Sequence, residues 1–168
     1  MISDWHYLNL ARQGDESAWR QLIERYSPQL IRMAFLITGS VDTAKDLAQE
    51  SFIRLFRQRS KHRLGSFKSY LSTITYRLAL KERKQGLRQQ SIDNFTLLEK
   101  NPGPLEVELN AERDRYLAEI IDSLEEHHRN ILVLRFYGNH SYEEIAHIAN
   151  LPIGTVKSSS GISSLTER

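Results

Sequence analysis

The 168-residue sequence contains no cysteine. That excludes a disulfide-stapled secreted fold, a thiolate zinc site and a cysteine nucleophile. No apolar run approaches the roughly 20 residues that a membrane span needs. The opening MISDWHYLNLARQGDESAW joins no basic leader to an apolar stretch and a small-residue cleavage site, so no signal peptide is expected. With 40% apolar and 26% charged residues, the chain reads as soluble and cytoplasmic, with no membrane insertion. No strand-like alternation lasts five residues, and no internal repeat is present. Catalytic signatures are missing too: there is no Gly-rich phosphate loop, no GxSxG, no HExxH and no kinase motif. Glu143 and His147 stand one helical turn apart without a third ligand, and His127-His128 reads as an exposed pair. Neither an enzyme nor a bound cofactor or metal is expected.

What is present is charge, and it is segregated. The net charge is only +2, yet residues 1–90 carry 16 basic and 8 acidic side chains. Residues 91–126 carry 3 basic and 10 acidic ones. Residues 54–88 hold eleven lysines and arginines against one acid, Glu82. A block that basic repels itself unless an anion sits beside it, and nucleic acid is the commonest polyanion. A solvated helix face plus loop is the plainer alternative. The acidic stretch is either a spacer or a shield for the basic block.

The apolar pattern is helical throughout and predicts an all-α protein. A short amphipathic piece spans Trp5 to Ala11. Asp15 to about Ile37 reads as a longer helix, which Pro28 should kink or split. Ser40 is placed to cap a helix from Val41 to about Arg57. Ser66 opens a third strong helix, with Phe67, Tyr70, Leu71, Ile74 and Leu78 on one stripe, ending near Gln85. The pattern then fails, and the helix breakers NPGP at 101–104 mark a linker. The predicted organisation is therefore a first domain over 1–88, a flexible linker over 89–105 and a second domain over 106–168.

In the second domain, SLEE (123–126) and SYEE (141–144) both read as capping boxes. The helix after Ser123 carries Ile131, Leu132, Leu134 and Phe136, and Gly138 is placed to end it. The helix after Ser141 is short. Asn150 to Ile153 is a turn, and Gly154-Thr155-Val156-Lys157 opens another helix. A short helix, a tight turn and a second helix beginning with Thr and Lys is the helix-turn-helix pattern. Ala146 permits close approach of the two helices, while Ile145, Leu151 and Val156 form their small core. Thr155, Lys157 and Ser158 then fall on the first turn of the second helix, where the backbone N–H groups favour phosphate. An ordinary helical hairpin that touches no DNA has the same outline.

Four segments together resemble the extracytoplasmic-function class of bacterial sigma factors: ARQGDESAWRQLIERY (11–26), DTAKDLAQESFIRLF (42–56), FKSYLSTITYRLALKERK (67–84) and LEEHHRNILVLRFYGNHSYEEIAHIANLPIGTVKS (124–158). Their order and spacing, rather than any one motif, carry the likeness. It implies two small helical domains that bind core RNA polymerase and promoter DNA, and an anti-sigma protein as regulator. By resemblance, Asp46, Gln49, Glu50 and Phe52 contact the polymerase. The segment 67–84 is where such proteins hold the unwound −10 element, which assigns Phe67, Lys68, Tyr70, Arg77, Lys81, Arg83 and Lys84 to single-stranded DNA. Stacking rings and cations suit that task, although core packing also suits Phe67 and Tyr70. Tyr142, Thr155, Lys157 and Ser158 would meet the −35 duplex. The sequence departs from the family at Tyr70, where tryptophan is usual, at Arg77, where asparagine is usual, and at Lys81, where aspartate is common. After GTVKS an arginine-rich recognition helix is expected, but SSGISSLTER follows. Either duplex recognition is weak, or the natural end of the chain is altered. A stand-alone helix-turn-helix repressor and a polymerase- or anti-sigma-binding module without promoter choice are the competing readings.

Overall fold

A computed structural model describes residues 2–58, 66–90 and 111–160. Within them the chain is helical, with no strand: α1 (Asp4–Arg12), α2 (Glu16–Thr38), α3 (Val41–Arg57), α4 (Phe67–Gln90), α5 (Ala111–Asp122), α6 (Glu126–Leu132), a π-helical turn (Val133–Tyr137), α7 (Tyr142–Ala149) and α8 (Ile153–Ser160). No helix among the described residues is long and apolar enough to cross a membrane.

The helix starts follow local chemistry. Ser3 accepts from the His6 N–H, Asp15 from Ala18, Ser40 from Thr43 and Ser66 from Ser69, each satisfying an orphan donor of the first turn. α2 ends where Gly39 takes a left-handed conformation (φ 76°) and its N–H returns to the Phe35 carbonyl at 2.7 Å. Only a residue without a Cβ adopts that geometry freely.

α2 runs unbroken through Pro28, so the helix is not split there. Proline removes one hydrogen bond to Glu24, and both residues are exposed, where water serves the freed carbonyl. α4 continues past the expected end at Gln85 to Gln90, so the first two residues assigned to the linker are helical. The rest of the linker, 91–105, lies outside the described residues. Ser123 does not cap α6. Its hydroxyl donates back to the Ile120 carbonyl (2.6 Å), and Glu125 precedes the first turn without a side-chain cap. The serine finishes one helix instead of starting the next.

α2 is the axis of the molecule. Its N-terminal half buries a stripe, Ala18 and Leu22, but Leu30, Ile31 and Met33 to Ile37 are all buried. A helix apolar on every side must be covered on every side. α1, α3 and α4 cover part of that circumference, and α5 with the π-helical turn covers the rest. Between α3 and α4, the buried hydroxyls of Thr75 and Ser51 satisfy each other at 2.7 Å. In the second half of the chain, Ile131, Val133, Leu134, Ile145, Ile148 and Val156 close a small core, with Leu151 packed against it. Gly138 has ordinary φ, but a Cβ there would lie 2.5 Å from His140 Cδ2 and 2.8 Å from the Leu134 carbonyl oxygen. The position needs glycine for close approach. Asn139 (φ 56°) makes the reversal.

A candidate polymerase and nucleic-acid interface

α3 presents its polar residues beside the buried stripe of Ala44, Ala48, Ser51, Phe52 and Leu55. Asp46 and Gln49 are exposed, and Glu50 is half-buried, ion-paired to Arg54 at 2.9 Å. Phe52 is not on this surface. It is 3% exposed and packs edge-on against Trp19 with ring centroids 5.8 Å apart. It belongs to the core because the apolar stripe, not the polar strip, faces α2.

Among the described residues, the cations of α4 divide between two of its faces, and Arg54 of α3 joins one of them. On one side, Arg54, Gln58, Arg77 and Lys81 ring an open groove of roughly 260 Å³, with Ile74 and Leu78 as its apolar floor. Arg77 and Lys81 stand four residues apart and therefore share a face. Both are exposed, as is Lys84. Cations around an apolar floor are what a strand with phosphates on one edge and bases on the other requires. Arg57 is also exposed, while 59–65, with three more cations, lies outside the described residues.

Lys68 and Arg83 are elsewhere. Nine residues separate Lys68 from Arg77, about half a turn around the helix. The Lys68 ammonium donates to the Asn139 carbonyl at 2.9 Å. Burial holds its pKa below the usual lysine value, against the opposing pull of Glu144. Arg83 donates to the Ile37 carbonyl (2.9 Å) and to the Asp122 carboxylate (2.8 Å). Phe67 is 4% exposed and packs between Trp5 and Tyr26. Tyr70 is half-buried against Trp5 at 5.6 Å. The two rings that the resemblance assigns to base stacking thus close the α1–α2–α4 corner. Segment 67–84 is one helix, but its residues do not form one site.

Arg12 is the contributor that sequence reasoning overlooked. Its guanidinium donates to the carbonyls of Leu55 (2.8 Å), Phe56 (3.1 Å) and Gln58, covering the open end of α3. Gln58 lines the groove, so α1 fixes the groove's edge. No local pattern signals this, because 43 to 46 residues separate the partners.

In the helix-turn-helix segment, Ser141 caps α7 as expected, accepting from the Glu144 N–H at 3.1 Å. The reciprocal half of the capping box is not made. Glu144 Oε2 instead accepts from Ser69 (2.7 Å) and His140 Nδ1 (2.8 Å). Burial alone would raise the Glu144 pKa, but these hydrogen bonds and the nearby charges outweigh it and lower it. His140 is wholly buried, and burial, aided by Lys68, depresses its pKa despite Glu144. It is therefore a neutral Nδ1–H donor. Tyr142 is half-buried beneath the Arg135 guanidinium, 4.6 Å from the ring centroid. Thr155, Lys157 and Ser158 are exposed on α8 beside buried Val156. Residues 161–168 lie outside the described residues. Glu143 and His147 gain no third ligand, and no group of three metal-ligating side chains occurs among the described residues.

The family model for sigma-70 region 2 matches residues 22–89, and that for sigma-70 region 4 matches residues 120–159. The ECF RNA polymerase sigma-E factor of Salmonella typhimurium (strain LT2) is 32% identical over 94% of this chain and 88% of its own length. The ECF RNA polymerase sigma factor SigE of Mycolicibacterium smegmatis is 30% identical over 86% of this chain, which spans only 59% of that relative. Among solved structures, CnrH in complex with the cytosolic domain of CnrY matches with a TM-score of 0.70 at 16% identity, covering 99% of this chain and 98% of that one. Bartonella quintana RpoE, in complex with the anti-sigma factor NepR, matches with a TM-score of 0.63 at 20% identity, covering 87% and 91%. With both sigma regions in order on one chain and a relative at this identity along most of its length, the chain belongs to the ECF RNA polymerase sigma factors, proteins that direct core polymerase to promoters.

Proposed function

We propose that the chain acts without catalysis of its own, as a cytoplasmic initiation factor whose first half grips polymerase and an unwound promoter strand. The exposed strip of Asp46, Gln49 and Glu50 on α3 meets the polymerase. The groove of Arg54, Gln58, Arg77 and Lys81 takes the strand, with Lys84 beside its path and Ile74 and Leu78 beneath the bases. That groove is the observation that carries the reading, since it joins cations from two helices around an apolar floor. Glu50 pairs with Arg54, so the docking strip and the groove share an edge. α7 and α8 meet upstream duplex through Thr155, Lys157 and Ser158. Lys157 is the single cation of α8, which keeps this contact weak. That feature favours a second reading, in which the protein binds polymerase with little −35 discrimination. CnrH was solved with the cytosolic domain of CnrY and RpoE with the anti-sigma factor NepR, which supports an anti-sigma partner here.

Run-off transcription with purified core polymerase on fragmented genomic DNA tests the reading. Specific start sites are expected, and their absence would leave only the interaction-module reading. Replacing Asp46 and Glu50 by alanine should reduce polymerase binding with the circular-dichroism spectrum unchanged. Binding that stays the same would remove α3 as the docking surface.

A further inference from the structure

One wall of the groove is the C-terminal end of α3, and a helix C-terminus carries the negative end of the macrodipole. The last carbonyls of a helix also lack partners within it. The Gln58 N–H returns to the Arg54 carbonyl, so those from Leu55 to Gln58 are left over at this wall. An edge of bare carbonyls repels phosphate. The α3 cation that lines the groove, Arg54, is paired with Glu50 at 2.9 Å, which offsets part of its charge. Arg57 is exposed on the same last turn but is not among the groove's lining residues. Arg12 changes this balance. Its guanidinium donates to the carbonyls of Leu55 (2.8 Å), Phe56 (3.1 Å) and Gln58, three of the four left over. Gln58 is itself a lining residue, so the Arg12 charge is bonded directly to the groove's wall. Burial raises the Tyr70 pKa and the Arg12 charge opposes it, so the cation is felt at α4 as well.

We infer that Arg12 is a positioning residue for strand capture: it converts the anion-repelling end of α3 into a wall that phosphates can approach, and it fixes Gln58 there. This rests on the proposed role of the groove in holding single-stranded DNA. Arg12 acts through the carbonyls it covers and through its field, while Arg77 and Lys81 on the opposite wall meet the phosphates themselves. Strand binding then depends on α1, a helix that supplies none of the groove's lining residues. The charge is the essential part. A neutral donor can cover a carbonyl, but it leaves the negative end of the dipole in place. The effect is one of field across the groove, so added salt screens it, with the Debye length falling from about 10 Å at 0.1 M to about 3 Å at 1 M.

The experiment uses the full chain and a fluorescein-labelled single-stranded oligonucleotide, with affinity read by anisotropy over a salt series and folding checked by circular dichroism. Arg12→Gln keeps a donor and loses the charge; Arg12→Lys keeps the charge and loses the planar fork. At low salt, Arg12→Gln should bind about three- to tenfold more weakly than wild type, the size of one unit charge acting across a solvated groove. The loss should shrink as salt rises. Arg12→Lys should keep most of the affinity, even where it recovers little of the stability. If Arg12→Gln binds like wild type, or if Arg12→Lys loses as much as Arg12→Gln, or if the loss is the same at every salt concentration, Arg12 only holds the chain in place and the inference is overturned. Arg77→Ala with Lys81→Ala reports on the underlying reading and should weaken binding whatever Arg12 does. If that variant weakens binding while the Arg12 variants match wild type, strand binding stands and the role of Arg12 falls. If it binds like wild type, or if wild type does not bind, the groove is not the strand site and both fall.

Discussion

Arg12 shows how much one distant side chain decides. It covers three carbonyls at the end of α3, on the groove's rim. Charge-assisted hydrogen bonds of this kind contribute about 1.5–3 kcal/mol each when a buried partner would otherwise be stranded, and less where water replaces them. Arg12→Ala should therefore lower the urea unfolding free energy by about 2 kcal/mol, and Arg12→Lys should recover only part of it, because an ammonium lacks the planar fork that spans several acceptors. Full recovery by lysine would show that charge alone mattered. Gly138 makes the opposite point, a residue defined by what cannot be added. Gly138→Ala forces a methyl against the buried His140 ring and should cost about 1–3 kcal/mol in the same measurement. An alanine variant as stable as wild type would mean that His140 has room to move. Neither role was legible in the sequence. Gly138 was read as a helix stop, and it does close the π-helical turn, but its requirement for glycine comes from His140 folding back over it.

α4 carries the functional argument at the level of elements. Its sequence stripe was legible, and so was its capping serine, because both follow from spacing of three and four residues. Which of its cations would share a face was also implicit in the 100° step, yet the block was read as one site. Nothing local states that the far face is covered. Substituting Arg77 and Lys81 together should reduce the salt dependence of single-strand binding by about 1.4 in log–log slope, the value for two phosphates. A slope that does not change would place those phosphate contacts elsewhere. Substitution of Phe67 should instead lower stability, since its ring is enclosed by Trp5 and Tyr26. Truncating a buried phenylalanine costs about 3–5 kcal/mol. A Phe67→Ala variant that kept its stability and lost strand affinity would restore the ring to the DNA site.

The whole molecule is held closed partly by ionisable groups, and its stability should depend on pH. His140 has a depressed pKa, chiefly through burial. The unfolded chain therefore binds this proton more readily than the native one. The contribution is complete above the ordinary histidine value of about 6.5 and is lost as pH falls from there towards the folded value. Glu144 is also depressed, so its contribution holds above the ordinary glutamate value of about 4.3 and is lost as pH falls further. Thermal unfolding should show a melting temperature that declines from pH 7 to pH 5 and more steeply below. A curve flat across that range would mean that His140 is not confined as described. The closed arrangement also accounts for α2. Met33 to Ile37 are buried on every side, a pattern that a single helical bundle leaves unexplained and that two flanking layers require.

The sequence by itself determined the helices and most of their caps, the helix-turn-helix outline and the family, because each depends on residues within a few turns of one another or on a linear order of motifs. The capping role of Ser123 was misread and Pro28 does not split α2, since a serine serves either of two adjoining helix ends and an exposed proline leaves its carbonyl partner to water. Only the tertiary structure decided that Phe52 and Phe67 are core, that Arg12 borders the groove, and that Lys68 and Arg83 face the second half. Those outcomes depend on which surfaces meet across 33 to 71 residues of chain. Helical periodicity specifies which side chains share a face, but the partner that covers the face is set by packing of the assembled molecule.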